Sequence, residues 1–400
     1  MIISAHVSDS INKSNKSLKT IEYKVYEKMS GDNPKQTSEE QIEQIRKRKK
    51  EGIDIPLKEK VQGKENSTLF EEILLLHNAL PEIDYDQIDL TTTFLNRKFS
   101  APLIIDSMTG GTDEAIIINK RLGQVAEKYG FGMGLGSQRA GLRSEKLVES
   151  YSIARKMAPN AFLIANIGGA QLAEGLSKED VKRIVKMIDA NALAIHLNPL
   201  QELIQPEGEP RFSGILKKIS DITEEIEVPT IVKEVGSGIS PQVAIRLQQV
   251  GIKSINVAGS GGTSWAGIEK IRADNVNNYI KSNLGELFWD WGIPTALSIM
   301  LVSKVVDLPI IASGGIRNGL EIAKSLTLGA QMCAMAYPFL RTAAESETSL
   351  ERFTQLVLAQ LKGTMFLVGA LNLNILRNTR YILKDKLASM LNSYELSRRS

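Results

Sequence analysis

Between residues 196 and 202 the chain sets an imidazole (His196), two amides (Asn198 and Gln201) and a carboxylate (Glu202), directly behind the apolar run 192–195. A short apolar run that ends in convergent polar groups predicts a buried strand handing its tip to a binding or catalytic site, with His196 the first candidate for proton transfer. A turn-capping histidine followed by a solvated helical glutamate would give the same string. What the segment does depends on what the rest of the chain brings beside it.

Residues that act together must be delivered together, and beyond residue 100 the chain has the means. Short β-rich apolar runs occur at 101–108, 131–135, 162–167, 193–197, 230–235, 254–257, 309–312 and 332–337. The stretches between them hold helical patterns such as 180–189, 241–250 and 319–328. Strand and helix alternating eight times, without hairpin signals, predict a parallel sheet covered by helices. Eight such units close most simply into an α/β fold of the (β/α)8 TIM-barrel type, here with an N-terminal extension and C-terminal helices. An open doubly wound sheet is the alternative, but its G-x-G-x-x-G fingerprint is missing. The glycine-rich stretch 132–136 runs into Ser137, Gln138 and Arg139 instead of a third glycine. We expect one domain over 41–400, including a basic N-terminal segment. Residues 1–40, rich in Ser, Asn, Lys, Asp and Thr without periodicity, read as a polar, mobile extension.

In such a barrel the chemistry gathers at the C-terminal strand ends, so those residues can be read as the contents of one cavity. Strand one ends in SMTGG (107–111), strand two in GSQR (136–139), strand three in Asn166, and strand four in the segment described above. Strand five carries Lys233 and Glu234, strand six ends in GSGGT (259–263), strand seven in SGGIR (313–317), and strand eight in Ala336, Tyr337 and Pro338. Glycine turns let backbone N–H groups approach an anion, and the loops after strands seven and eight of such barrels are a frequent phosphate site. Gly314, Gly315 and Arg317 stand there. Lys233, inward on a strand, suits a Schiff base, the electron-rich edge of a flavin ring, or an ion pair with a neighbouring carboxylate.

Composition excludes more than it chooses. The 400 residues are 42% hydrophobic and 24% charged, an ordinary globular balance. A net charge of +3 gives no reason to expect a nucleic-acid or membrane partner, although five bases stand together at 46–50. The single cysteine, Cys333, leaves no intrachain disulfide or thiolate metal cluster and fits a reducing cytoplasm. No apolar stretch approaches the roughly 20 residues that span a bilayer, and the N-terminus lacks the features of a secretory signal. A cytoplasmic protein acting on a small molecule is the expectation.

Read in order, the strand-end strings resemble the type 2, FMN-dependent isopentenyl-diphosphate delta-isomerases. The matching strings are SMTGG (107–111), GSQRA (136–140), HLNPLQELIQPEG (196–208), VKEVGSGIS (232–240), GSGGTSW (259–265), WGIPTA (291–296), ASGGIRNGLEIAKSLTLGA (312–330) and MFLVGALN (365–372). Together they cover roughly residues 42–385. The resemblance implies a flavoprotein barrel that interconverts isopentenyl and dimethylallyl diphosphate in isoprenoid biosynthesis, using reduced FMN and Mg2+. It further implies NAD(P)H as reductant and assembly as a tetramer or octamer. On matching positions, FMN would rest on Met108, Thr109, Ser137, Asn166 and Lys233, with its phosphate near Thr263, Gly314, Gly315, Arg317 and Ala336. The substrate diphosphate would meet Arg48, Lys49, Ser137, Gln138, Arg139, His196, Asn198 and Gln201, and Glu202 would bind Mg2+. His196 thereby becomes a diphosphate ligand, and Gln201 the catalytic residue across the alkene from the flavin.

The chemistry of these residue types agrees with that division. Arginine matches phosphate oxygens bidentately and lysine supplies a point charge, while Mg2+ prefers one or two carboxylates plus substrate oxygens. A hydrocarbon offers no handle, so an anchored diphosphate must hold it while a positioned acid or base acts. Three positions depart from the resembled pattern. Gly52 stands where R-K-x-E-H has its histidine, Asn256 where strand six usually carries aspartate, and Asp106 where strand one usually carries a small residue. Two other functions remain open. One is an FMN-dependent oxidoreductase of the 2-hydroxy-acid type, which shares the barrel but wants a histidine base paired with an arginine. The other is a flavin-binding relative with altered or lost activity. Trp265, Trp289 and Trp291 are candidates to line a hydrophobic pocket, two of the three being expected simply to pack.

Overall fold

The computed structural model describes residues 39–397. The expected mobile extension therefore lies, up to residue 38, outside the described residues, as does His6. Contacts divide the chain into two units, Met1–Glu43 and Gln44–Ser400. Of the first, residues 39–43 are described, as the opening of the helix Glu39–Lys58.

The second unit is built on a closed ring of eight parallel strands. Following β1 (Ile73–Leu75), β2 (Thr92–Phe94) and β3 (Arg97–Phe99), the ring consists of β4 (Leu103–Ile105), β5 (Gly132–Gly134), β6 (Phe162–Gly168), β7 (Ala192–His196), β8 (Thr230–Lys233), β9 (Ser254–Asn256), β10 (Ile310–Ala312) and β11 (Met332–Met335). Neighbours follow in sequence order, and β11 pairs with β4 to close the ring. These are the eight apolar runs read from the sequence. The helices between them also fall where periodicity placed them, and their starts have local causes. Ser177 closes a capping box on Lys178–Met187, Ser240 caps Pro241–Gln249 with proline in the first turn, and Asn318 caps Gly319–Thr327. Among the described residues no helix is long and apolar enough to cross a membrane.

Alternation along the strands decides what the barrel encloses. Ile104, Phe162, Ile164, Ala192, Ala194, Ile231, Ile311, Met332 and Ala334 form one buried apolar cluster. Phe94 and Phe99 join it from β2 and β3, an antiparallel hairpin set against the start of the barrel. The rings of Phe94, Phe99 and Phe162 meet edge-on or tilted at centroid distances of 5.4 to 6.3 Å. Gly132 makes room for them, since a Cβ there would lie 3.2 Å from the Phe99 ring. This hairpin precedes the stretch of alternating strands and helices read from the sequence. Its two-residue turn is Leu95-Asn96, both at positive φ, so no glycine announces it. A second antiparallel pair joins β1 to β12 (Tyr381–Leu383), tying the segment before the barrel to the segment after it.

Candidate active site

The inward-facing rows are apolar but for Ser254, and two residues further along six of them the enclosed side chain is polar. Ile104 is followed by Asp106, Ile164 by Asn166, Ala194 by His196, Ile231 by Lys233, Ser254 by Asn256, and Ile311 by Ser313. All six polar residues are buried. A buried polar layer is tolerable only if its members satisfy one another, and they do. Asn166 donates its amide to Leu135 O at 2.9 Å, which turns its Oδ1 toward His196 Nδ1 at 2.8 Å. That contact makes Nδ1 the protonated nitrogen of the ring. Burial, followed by the charges of Lys233, Lys49 and Arg139, pushes the imidazole down to about 3. His196 is therefore neutral in the free protein. On the adjacent strand, in register with His196, Lys233 Nζ lies 3.7 Å from Asp106 Oδ1 and donates to Glu234 O at 3.1 Å.

Above this floor, the short helix Pro199–Ile204 follows β7 with proline in its first turn. It presents Gln201 and Glu202 to the cavity, together with Asn198 at its start. Asn198 Nδ2 donates to Gln201 Oε1 and to Glu202 Oε1, each at 3.1 Å, while Gln201 Nε2 donates to Glu269 Oε1 at 2.8 Å. The Gln201 amide is thus tied at both ends. Glu269 is 2% exposed, and burial raises its carboxyl above the ordinary range against the pull of Arg272. Burial also opposes the Arg272 charge, yet Glu269, Glu207 and Glu51 receive its guanidinium at 2.7 to 2.8 Å and hold it above its usual range. The remaining oxygen of Asn198, Oδ1, is buried with no hydrogen-bond partner. Glu202 accepts from Asn198 Nδ2 and, at its other oxygen, from Glu209 N at 3.1 Å, so the acceptor atoms here that could serve a hard cation are this carboxylate and the unpartnered Oδ1 on the far arm of the Asn198 amide.

The basic run at 46–50 lies in the helix Glu39–Lys58, which brings Arg48, Lys49 and Gly52 to the cavity, while Lys50 pairs with Glu114 outside it. Lys49 Nζ donates to Ser137 O at 2.8 Å. Burial, then Arg48 and Arg139, lower Lys49 to about 7. Arg139 is likewise lowered, by burial and by Arg48. Arg139 pairs with Glu174 at 3.2 Å and Arg48 lies 3.9 Å from Glu207, yet the lowering of Lys49 and Arg139 marks a net positive site that an anion would relieve. Gly52 faces open space, since a Cβ there meets nothing within 4 Å.

At the far side of the cavity the glycine turns meet backbone to backbone. Gly314, at φ +95°, could carry a Cβ only 2.1 Å from Gly259 O. A Cβ on Gly262 would lie 2.5 Å from Gly315 N. Thr263, Arg317 and Ala336 line the same side, and Ala336 opens the helix Tyr337–Glu345. Side-chain-free backbone, a guanidinium and a helix N-terminus make a cradle that fits a phosphate.

Of the residues singled out from the sequence, Arg48, Lys49, Met108, Thr109, Ser137, Arg139, Asn166, His196, Asn198, Gln201, Glu202, Lys233, Thr263, Gly314, Gly315, Arg317 and Ala336 line this one cavity. Gln138 does not. Its side chain is fully buried beneath the loop, donating to Ile184 O at 3.0 Å and accepting from Asn166 N, while its own N–H goes to Asn166 O. The polar groups of Gln138 are engaged within the protein, where it anchors the loop. The Thr109 hydroxyl is likewise spent on Asn119 Oδ1 at 2.6 Å, although its backbone lines the cavity. Among the tryptophans, Trp265 lines the cavity, Trp289 packs and donates to Gln62 O, and Trp291 is exposed. Glu269 and Arg272 were missed because they lie inside a helix beyond the strand-six loop, where a glutamate and an arginine three apart read as an ordinary solvated pair.

Comparison with known proteins agrees with this geometry. A family model of FMN-dependent dehydrogenases matches residues 137–382. An isopentenyl-diphosphate delta-isomerase of Nostoc sp. is 44% identical over 87% of this chain and 98% of its own length. Another, of Methanothermobacter thermautotrophicus, is 45% identical over 81% of this chain and 90% of its own. Among solved structures, lactate oxidase of Pediococcus acidilactici superposes with a TM-score of 0.61 at 14% identity, covering 86% of this chain and 94% of its own. Flavocytochrome b2 gives 0.59 at 13% identity, covering 81% of each chain. Likeness at that identity speaks for the barrel alone. With near-full-length relatives at 44% identity, the chain belongs to the isopentenyl-diphosphate delta-isomerase family.

Proposed function

We propose that this chain converts isopentenyl diphosphate to dimethylallyl diphosphate in the cytoplasm, with FMN in the cradle and over the polar floor, and Mg2+ at Glu202. The observation that carries the reading is the pairing of Gln201 with buried Glu269 in the same cavity as the cations Arg48, Lys49 and Arg139. When bound, reduced flavin supplies an electron-rich ring able to give and take a proton. NAD(P)H would furnish the reduction. The chain does the rest. Arg48, Lys49 and Arg139 anchor the diphosphate, His196 offers Nε2 beside it, and Glu202 with Asn198 Oδ1 gives oxygen ligands for Mg2+. Gln201 holds one end of its amide on Glu269 Oε1, a carboxyl that burial raises above its ordinary range against the pull of Arg272. Moving a double bond within a chain requires a proton to enter at one carbon and leave another, and this pair places a buried carboxyl behind a fixed amide. Assembly as a tetramer or octamer is what the resemblance implies, and the exposed Leu74 and Ile382, opposite one another on the β1–β12 pair, are apolar surface available to it.

The test is anaerobic incubation of the chain with reduced FMN, Mg2+ and isopentenyl diphosphate. Dimethylallyl diphosphate is the expected product. A flavin-loaded protein that gives none, and whose Gly52→His variant is also inert, would overturn the reading.

A further inference from the structure

The residue that the isomerisation reading leaves unused is Asp106. Its carboxylate lies on the cavity floor and is 7% exposed. One oxygen lies 3.7 Å from Lys233 Nζ and accepts from Ser107 N at 2.8 Å. The other accepts from Asn256 Nδ2 at 3.4 Å, and Asn256 is in turn fixed by Ser313 Oγ, which donates to its Oδ1 at 2.5 Å. β4 and β9 are not sheet neighbours, so this contact crosses the barrel interior. We propose that Asp106 is a positioning residue that offsets the Lys233 charge and thereby sets how strongly the floor favours the reduced flavin over the oxidised one. The inference rests on the flavin assignment above. Reduced flavin carries a negative charge near neutral pH, and oxidised flavin carries none on its ring. A buried ammonium favours the reduced ring, and a buried carboxylate beside that ammonium opposes it, with little solvent to screen either. The other groups around the floor leave this balance to the pair. Asn256, Ser313 and Asn166 are uncharged, His196 is neutral, and the Glu234 carboxylate turns away into the loop, accepting N–H groups from Val235, Gly236 and Ser237. The cations Lys49 and Arg139 line the same cavity and are common to every variant of the series below.

The experiment is a charge-count series on the FMN-loaded full chain, measuring the flavin midpoint potential anaerobically against reference dyes, together with FMN affinity. Asp106→Asn removes the carboxylate and should raise the preference for reduced over oxidised flavin about tenfold, which is ~30 mV for a two-electron couple. Asn256→Asp adds a second carboxylate and should lower the preference, by less, because two acids that close drive one to stay protonated. The double variant Asp106→Asn, Asn256→Asp restores one carboxylate to the pair and should return to within about twofold of the parent, a rescue that a merely structural role would not give. An Asp106→Asn potential unchanged or lowered overturns the proposal. So does a double variant as far from the parent as Asp106→Asn alone. If the parent chain itself fails to bind FMN, the flavin assignment falls first, and a bound flavin whose potential ignores the series sinks only the role of Asp106.

Discussion

The two mouths of the barrel are made by the same strands and have opposite chemistry. At the start of the strands Phe94, Phe99 and Phe162 close the interior with rings, beneath a layer that is apolar but for Ser254. Two residues beyond the last apolar layer, the same rows carry Asp106, Asn166, His196, Lys233 and Asn256. One end spends its burial on packing, which stabilises. The other buries charge and leaves an oxygen unpartnered, which costs stability unless a ligand arrives. A clean division of labour follows: changes at the closed end should move stability and leave turnover per folded molecule alone, and changes at the open end should do the reverse.

The largest effect should come from Glu202→Gln. The substitution keeps the shape and one of the two hydrogen bonds that the carboxylate accepts, from Asn198 Nδ2 and Glu209 N, but removes the charge that a hard cation needs. We expect kcat/KM to fall about 1000-fold, roughly 4 kcal/mol of transition-state stabilisation. Mg2+ dependence should be lost, with FMN retention and melting temperature preserved. Flavin loss in parallel with activity would show that Glu202 shapes the cavity instead of binding metal. At the closed end, Phe99→Ala deletes a 2% exposed ring from the aromatic trio, and such truncations cost about 3–5 kcal/mol. Denaturant unfolding should register that loss while kcat of the surviving folded fraction stays within about twofold of the parent. A collapse of kcat would mean that the floor of the site depends on the plug beneath it.

The open end was far more legible than the closed one, for a physical reason. Functional strand ends advertise themselves, because a lysine, a histidine or a run of glycines next to a buried apolar run conflicts with packing and needs a cause. The eight strands and the polar strand ends that line the cavity were read in that way, while what each residue would hold came from the family resemblance. The plug was not, since Phe94 and Phe99 conflict with nothing and their turn lacks the glycine that marks a hairpin. What the sequence hid at the open end was side-chain direction. Gln138 sits inside a string of ligand-like residues yet points into the protein, and Glu269 sits in an unremarkable helix yet holds Gln201. Asp106 and Asn256 read as two separate departures, and only the barrel closure brings them to 3.4 Å.

Lys49 sharpens the contrast through pH. Its buried ammonium is lowered to about 7, against 10.5 for a free lysine. Between those values the unfolded chain binds the proton and the folded one does not, so folding stability rises with pH across that window. Below about pH 7 both states are charged, and the full cost of burying the cation is felt. Diphosphate binding has the opposite sign. Above pH 7 the neutral lysine must first take up a proton, so apparent affinity should fall, by about tenfold between pH 7 and 8.5, with proton uptake measurable by calorimetry in buffers of different ionisation enthalpy. Lys49→Met should flatten both curves. A parent protein that binds diphosphate equally well at pH 7 and pH 9 would place Lys49 outside the anion clamp.

The smallest expected effect tests whether the two ends are independent at all. In the β2–β3 turn, Asn96 sits at φ +61°, in the left-handed region where a side chain is disfavoured but asparagine is tolerated best. Asn96→Gly would lift that residual strain, while adding chain freedom in the unfolded state that offsets part of the gain. The two terms leave a net stabilisation of about 0.5 kcal/mol, or roughly 1 °C in melting temperature for a domain of this size. Because the turn faces solvent at the closed end, kcat/KM should not change. A shift in kcat/KM from so slight a substitution would mean that motions of the plug reach the polar floor through the aromatic trio. The barrel would then have to be read as one coupled column, not as two ends with separate duties.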